Sequence, residues 1–518
     1  MFSMKKNILV IAAIVVCGSL FAQGEVEALR SSKTELQGTA RGQAMGGAFG
    51  ALGGDVTGVM INPAGLGVYR SSEVNITGSL SSVDVNSKIG GLSKDDNKFN
   101  ANIDNLSYIG YFPLDGDNMR SFNFGFSYNR QKNFNRRYKS MDAGRASSLS
   151  DYITTITDGI NADILDQGDP YYDSPWLSAL AWQAYIIDPG ASDYEYNSIL
   201  QNGETSDARL NVLEKGQIES YDFSLATNIS DNFYIGATLA LTDIYYRQDS
   251  YYTEKFARGD FALENYHETE GYGFQLRVGA IWSPLDFLRV GVAYSSPTWY
   301  SMTDYYKAFA DATYYDAGGE YINKSAETPS SAFTEYKFHS PYSWTFSIAG
   351  ILDTKAILSL DYEIKDYRSM NYSFEGIGSS AWEDNENSYI DDDYRVASTL
   401  RMGLEYRFTP QFAGRLGFAF VQNPYETTYR DGERETIING TIPHFTVEGD
   451  ATYVTTGIGY RFTPNFYADL AFVYRTQTDK LYYYSSAINS DYDSFVISDP
   501  ANLKTNSVKG LLTLGYKF

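Results

Sequence analysis

Apolar and polar residues alternate along most of the chain, segment after segment. In Leu400/Met402/Leu404/Tyr406/Phe408 and in Phe466/Ala468/Leu470/Phe472/Tyr474 every second residue is apolar, and Phe233/Ile235/Ala237/Leu239/Leu241 is nearly as regular. Successive strand side chains point to opposite faces, so a period of two predicts β-strands with one apolar face. The same pattern predicts about fourteen strands: Ser72–Ser82, Leu106–Pro113, Ser121–Gln131, Glu219–Ile229, Asn232–Arg247, Gly271–Ser283 and Phe287–Ser296, then Pro341–Gly350, Lys355–Arg368, Tyr394–Phe408, Gln411–Gln422, Ala451–Phe462, Asn465–Gln477 and Ser507–Phe518.

The connections alternate as well. Tight turns fall at Ser230-Asp231, Pro284–Asp286, Asp353-Thr354, Thr409-Pro410 and Thr463-Pro464. Long polar connections, rich in Tyr and Asp, occupy 132–218, 248–270, 297–340, 369–393, 423–450 and 478–506. Short turns on one side and long loops on the other are expected of an all-β antiparallel transmembrane barrel. The last strand carries Leu512, Leu514, Tyr516 and Phe518 on one face. Its aromatic terminus resembles the signal read by the barrel-assembly machinery of bacterial outer membranes, which implies outer-membrane lipid as the surroundings. A soluble β-propeller would show blade repeats, and none is seen. A TonB-dependent transporter would need a longer chain.

Within 132–218, Ile153, Ile156, Ile160 and Ile164 recur at near-helical spacing behind Ser150-Asp151. Ser174-Pro175 predicts a second helix start ahead of Trp176, Leu177, Leu180, Ala181 and Ala184. Two readings stay open for these amphipathic helices: a lid packed on itself, or a greasy landing site for ligand through Trp176, Leu177 and Leu180.

Composition fits a barrel. Mean hydropathy is −0.33 although aromatics reach 16%, with 45 Tyr and 30 Phe. Polar lumen and loop residues lower the average, while the aromatics fit interfacial girdles. Lys5 and Lys6 precede an apolar run, Ile8 to Val16, with a cleavage point near Ala22 or Gln23. This predicts a signal peptide over 1–22, because the run is too short to span a bilayer. The single cysteine, Cys17, lies inside it and follows Val16 rather than a small residue, which disfavours lipidation. A net charge of −23 disfavours nucleic acid as a partner. The acidic run from Asp384 to Asp393 is expected to be solvated loop.

The most specific stretch precedes the first strand: Gly38-Thr39-Ala40-Arg41-Gly42-Gln43-Ala44-Met45-Gly46-Gly47-Ala48-Phe49, then Gly53-Gly54-Asp55 and Asn62-Pro63-Ala64-Gly65-Leu66. Small residues this dense allow close backbone packing, and Asn62-Pro63 favours a turn. No Walker lysine or dinucleotide spacing accompanies the glycines. The stretch resembles the start of the FadL/TodX family of outer-membrane channels for long-chain fatty acids and aromatic hydrocarbons. The resemblance implies that residues 23–71 form a hatch, involving Gly46, Gly47, Asp55, Asn62, Pro63 and Ala64, inside a fourteen-stranded barrel over 72–518. Enlarged loops, notably 132–218 and 297–340, depart from the family, and no ligand contact is carried over.

Turning the apolar stripes outward places Arg289, Arg401, Arg407, Arg415 and Arg461 inward, because a charge facing the lipid midplane costs about 2–4 kcal/mol. These arginines either pair with Asp361, Glu363, Glu405 and Asp469 in the wall, or hold the hatch through Asp55 and backbone carbonyls, or recognise a ligand carboxylate. His267, His339 and His444 lack metal-ligand spacing, no nucleophile elbow is present, and neither a cofactor nor an enzymatic activity is expected. The functional expectation is passive uptake of a hydrophobic small molecule through a mostly apolar lumen pocket. Alternatives are a general diffusion porin, a surface scaffold for protein interaction or secretion, and haem uptake.

Overall fold

The computed structural model describes residues 24–518 apart from 117, 202, 331, 354, 375–378, 433, 439 and 489–494, with 379–383, 488 and 495 described by backbone alone. The expected signal peptide, Cys17 included, lies outside the described residues. Fourteen antiparallel strands close into a barrel. They are β1 (Glu73–Ile89), β2 (Leu92–Pro113), β3 (Met119–Asn133, continued by Arg136–Arg145), β4 (Ser206–Ile229), β5 (Phe233–Phe256), β6 (Gly259–Leu285) and β7 (Leu288–Ser295, continued by Trp299–Tyr315). There follow β8 (Phe333–His339 and Ser343–Leu352), β9 (Ala356–Asp366 and Asn371–Phe374), β10 (Val396–Arg407), β11 (Phe412–Val421), β12 (Ala451–Arg461), β13 (Phe466–Tyr482) and β14 (Ala501–Lys517). Closure is made by β1 against β14, from Glu73↔Lys517 to Lys88↔Asn502. No helix among the described residues is long and apolar enough to cross a membrane.

Each strand found by periodicity is present, and most are longer. The segment 248–270, expected as a loop, is instead a continuous hairpin: β5 runs to Phe256 and pairs with β6 from Gly259. Its alternation persists with a different outer face. Tyr246, Gln248, Ser250, Tyr252 and Glu254 are buried, while Arg247, Asp249, Tyr251, Thr253 and Lys255 face out. Lower on β6 the outward residues are Phe274, Leu276, Val278 and Trp282, all exposed as expected of a lipid-facing belt. About ten residues suffice to cross the hydrocarbon layer. The other half of these strands therefore stands in water, where polar outward residues imitate a loop. Most of 297–340 is strand for the same reason.

The acidic run is also a correction. Ser379–Asp393 forms a helix with Glu386, Ile390 and Asp393 buried on one face, rather than a solvated loop. Within 146–205, Leu149–Thr157 is helical, with Ser148 and Asp151 as a capping box, and Trp176–Gln183 is helical behind Pro175.

The short turns carry their own chemistry. Ser230 and Asp231 both have positive φ (52° and 63°), as a two-residue hairpin turn requires. At this end aromatic rings cluster outside the wall, as in Tyr406–Phe408–Phe412 and Tyr460–Phe462–Phe466. They form the girdle expected at a membrane interface.

Candidate functional site: the filled lumen

Residues 24–70 occupy the barrel interior, and three of their short turns are begun by a capping side chain. Thr39 caps the helix Ala40–Ala44 by accepting from Gly42 N, Asp55 caps Val56–Ile61 by accepting from Thr57 N, and Asn62 caps the 3₁₀ turn Pro63–Val68 by accepting from Ala64 N. Proline suits the first position of such a turn because its missing N–H has no partner there anyway. Asp55 also receives the Thr39 hydroxyl at 2.9 and 3.0 Å, which ties two caps together. The expected arginine partners for Asp55 are thus replaced by caps, because its carboxylate is consumed locally.

The wall holds this segment from many sides. Asp361 Oδ2 accepts from Phe49 N and Gly50 N, both at 2.9 Å. Thr455 Oγ1 accepts from Gly46 N and donates to Ala44 O, and Thr513 Oγ1 accepts from Ala40 N. Asn123 donates to Leu66 O, Arg277 to Met60 O and Arg289 to Leu52 O at 2.5 Å. Arg41, which the sequence did not single out, forks onto Glu405 at 2.8 and 3.2 Å. Arg415 binds the same Glu405 at 2.8 Å and Asp469 at 2.5 Å, while Arg401 meets Glu363 at 2.5 Å. Hence Asp361 serves backbone amides rather than an arginine, and Glu363, Glu405 and Asp469 satisfy Arg401 and Arg415 within the wall.

Contact between the segment and the wall is close enough to demand glycine on both sides. A Cβ on Gly46, which has φ +63°, would lie 2.7 Å from Phe418 O. Facing it, a Cβ on Gly417 would lie 2.1 Å from Gly46 N, and one on Gly279 would lie 2.0 Å from Asn62 Oδ1. Asn62 also donates to Gly50 O and to Ala280 O on β6. Pro63 approaches wall residue Gly236, and Gly47 has φ +73° with Leu36 and Arg401 beside it.

Above this plug-like layer the helix Glu25–Ser32 enters an aromatic chamber. Ala28 and Leu29 are buried there among Tyr246, Tyr300, Phe338, Tyr372, Tyr394 and Tyr425. Tyr394 Oη donates to Glu25 O and Tyr372 Oη to Gly24 O. The apolar lumen surface expected from sequence exists, but protein fills it. The open spaces beside it, each ≈140 Å³, have mixed linings, in which Lys33, Glu35 and Gln131 stand beside Leu36 and Val421. Of the expected landing residues, Leu177 and Leu180 are buried in the outer cap with Tyr152 and Ile153, and Trp176 packs edge-on against Tyr171. The apolar face of this helix is packed against its neighbours in the outer cap. The histidines have separate partners: His267 stacks on Tyr306, His444 meets Gln248 and His339 lies against Trp299.

One part of the wall is incomplete. The β2–β3 ladder covers only Asn105–Pro113 against Ser121–Asn129. Beyond it, β2 pairs with β1 and β3 pairs with β4, each after a bulge, at Thr77/Gly78 and at Arg130/Lys132. Among the described residues, side chains rather than a backbone ladder cross the seam: Arg130 donates to Asn102, Asn100 to Asn135 O and Lys98 to Glu214 O, while Arg137 and Lys139 pair with Asp96. Leu80, Phe99 and Ile103 flank it, exposed on the outer face. A lumen cavity reaches Asn102, Asp104 and Arg130 from within.

Comparison with solved structures agrees on architecture. A FadL homologue of Pseudomonas aeruginosa matches with a TM-score of 0.51 at 13% identity, over 94% of this chain and 100% of that one. A deltaS2 mutant of the TodX monoaromatic hydrocarbon channel matches at 0.52 and 12% identity, over 93% and 100%. The Pseudomonas putida toluene transporter TodX gives 0.48 at 13%, over 93% and 99%. No curated protein matches the sequence. A family profile described as outer membrane protein transport protein (OMPP1/FadL/TodX) matches residues 232–510, more than half of the chain. With its closed fourteen-stranded wall, this chain belongs to the FadL/TodX family of outer-membrane transport proteins.

Proposed function

We propose that the barrel takes up apolar or amphiphilic small molecules, such as fatty acids or aromatic hydrocarbons, with residues 24–70 as a hatch that closes the lumen to polar solutes. The family is one of transporters rather than enzymes. The observation that carries the reading is the aromatic chamber around Ala28 and Leu29. An apolar ligand entering it replaces one buried apolar surface by another, and each methylene contributes about 0.8 kcal/mol. Helix Glu25–Ser32 then has to leave, and its departure couples the chamber to the rest of the hatch. A general diffusion pore needs an open lumen, whereas this one is filled. The seam between β2 and β3 offers a sideways exit into the membrane, since no ladder hydrogen bonds have to be broken to widen it.

Native mass spectrometry and lipid extraction of the purified barrel test this, alongside a variant lacking residues 24–36. A co-purifying apolar molecule in the wild type, with altered retention in the variant, is the expected result. An empty wild-type barrel that binds no added fatty acid or arene would move the function to the outer loops, as a scaffold.

A further inference from the structure

Beneath the hatch, at the short-turn end, lies a cavity of ≈400 Å³ whose charge runs against the rest of the molecule. The chain carries −23 overall, yet this cavity is lined by Arg41, Arg289, Arg407, Arg415, Arg461 and Lys517 against four carboxylates. Those carboxylates are already engaged. Glu405 is held by Arg41 and Arg415, Asp469 by Arg415, Glu73 by Lys517 at 3.3 Å and by the Tyr467 hydroxyl at 2.6 Å, and Asp55 by its caps. Arg407 lies 3.4 Å from the doubly held Glu405 and keeps 44% of its side chain exposed. Arg461 has no ion-pair partner among the described residues, although its place on β12, two residues beyond buried Gly459, turns it to the lumen side. Arg289, on β7, gives one nitrogen to Leu52 O. The same cavity offers an apolar side in Leu52, Val68, Ile351 and Ile357.

We infer that this cavity is a binding site for the carboxylate of an amphiphilic small molecule, held by Arg407 and Arg461 with its apolar part toward Leu52 and Ile357. Guanidinium groups present paired donors that match a carboxylate, and they keep their charge at any physiological pH. A phosphate ion shares that chemistry and lacks the apolar part. The source of the anion as cargo rests on the conduit reading above; the site itself does not.

Isothermal titration of the intact barrel in a non-ionic detergent separates the possibilities, with octanoate, octanol and inorganic phosphate as probes. Saturable octanoate binding that falls about tenfold or more in the Arg407→Gln/Arg461→Gln double variant, with octanol binding unchanged, is expected. The paired Arg→Lys variant retains part of the affinity and guards against simple misfolding, which heat-dependent gel migration also monitors. Equal octanoate affinity in wild type and double variant, or no octanoate binding at all, overturns the site. Phosphate binding as tight as octanoate overturns the amphiphile assignment. Because co-purified apolar ligand is read separately by mass spectrometry, loss of this site and loss of the conduit reading are distinguishable.

Discussion

Asp361 shows how single residues hold the hatch. Its carboxylate takes two amides, Phe49 and Gly50, at a point where the chain turns away from the wall. Removing it leaves two buried N–H groups unmet, each costing about 1–3 kcal/mol. Asp361→Ala is expected to loosen the hatch and raise uptake of a polar antibiotic several-fold in whole cells; unchanged uptake would show that the other wall contacts suffice. The inward placement of Asp361 was legible, since the period of two fixes the face of every strand residue. Its partner was not, because Phe49 lies more than three hundred residues away and offers backbone rather than a side chain. Arg41 escaped for the same reason: it stands in the small-residue run, and Glu405 appears beside it only after the barrel closes. The turn at Asn62-Pro63 was legible, since turn chemistry acts between neighbours, but its bond to Ala280 O on β6 was not.

At the scale of elements, helix Ser379–Asp393 turns three buried groups, Glu386, Ile390 and Asp393, toward the start of helix Glu25–Ser32. Burial, and next the negative charge of Asp393, push the Glu25 carboxyl well above its ordinary range. Burial followed by Glu25 does the same to Glu386, and burial lifts Asp393 to about 7 despite Arg434. Carboxyls raised in the closed form keep protons that the open form releases. Their contribution is complete below the unfolded value, 3.8 for Asp393, and is lost as pH rises toward about 7. Limited proteolysis or hydrogen exchange of residues 384–395 should therefore show a tighter outer mouth at pH 5 than at pH 8. Glu386→Gln should flatten that difference, and a profile that is flat in the wild type would refute the account. An acidic run reads as solvated loop from composition, because nothing in it announces the buried carboxyl opposite. The long hairpins were misjudged for a related reason: once a strand leaves the lipid, its outward residues become those of a loop.

For the whole molecule, hatch and seam make separable demands on cargo. Arg130 bridges the seam to Asn102 on β2 and is held on its own side by Glu219 of β4 at 3.0 Å, without touching residues 24–70 in any described ion pair. Arg130→Ala is expected to speed uptake of a labelled apolar ligand while leaving polar-antibiotic permeability at the wild-type level, the reverse of Asp361→Ala. If both variants changed both solutes alike, a single route would serve them. The barrel and its strand number were legible because lipid imposes one strict rule on every strand. The seam was not, because a bulge shifts pairing by one residue without any change in composition that marks it.

Ser72 and Phe518 exchange backbone hydrogen bonds, at 3.1 and 3.0 Å, where the hatch passes into the wall. That join unites residues far apart in sequence, so it forms only when nearly the whole wall is assembled. A segment bonded to β3, β6, β7, β9, β12 and β14 meets the wall right round its circumference. A wall that closes with the hatch already in place would fold around it as around a mandrel. Shortening residues 24–70 would then alter the yield and pace of assembly as well as what the finished barrel lets through.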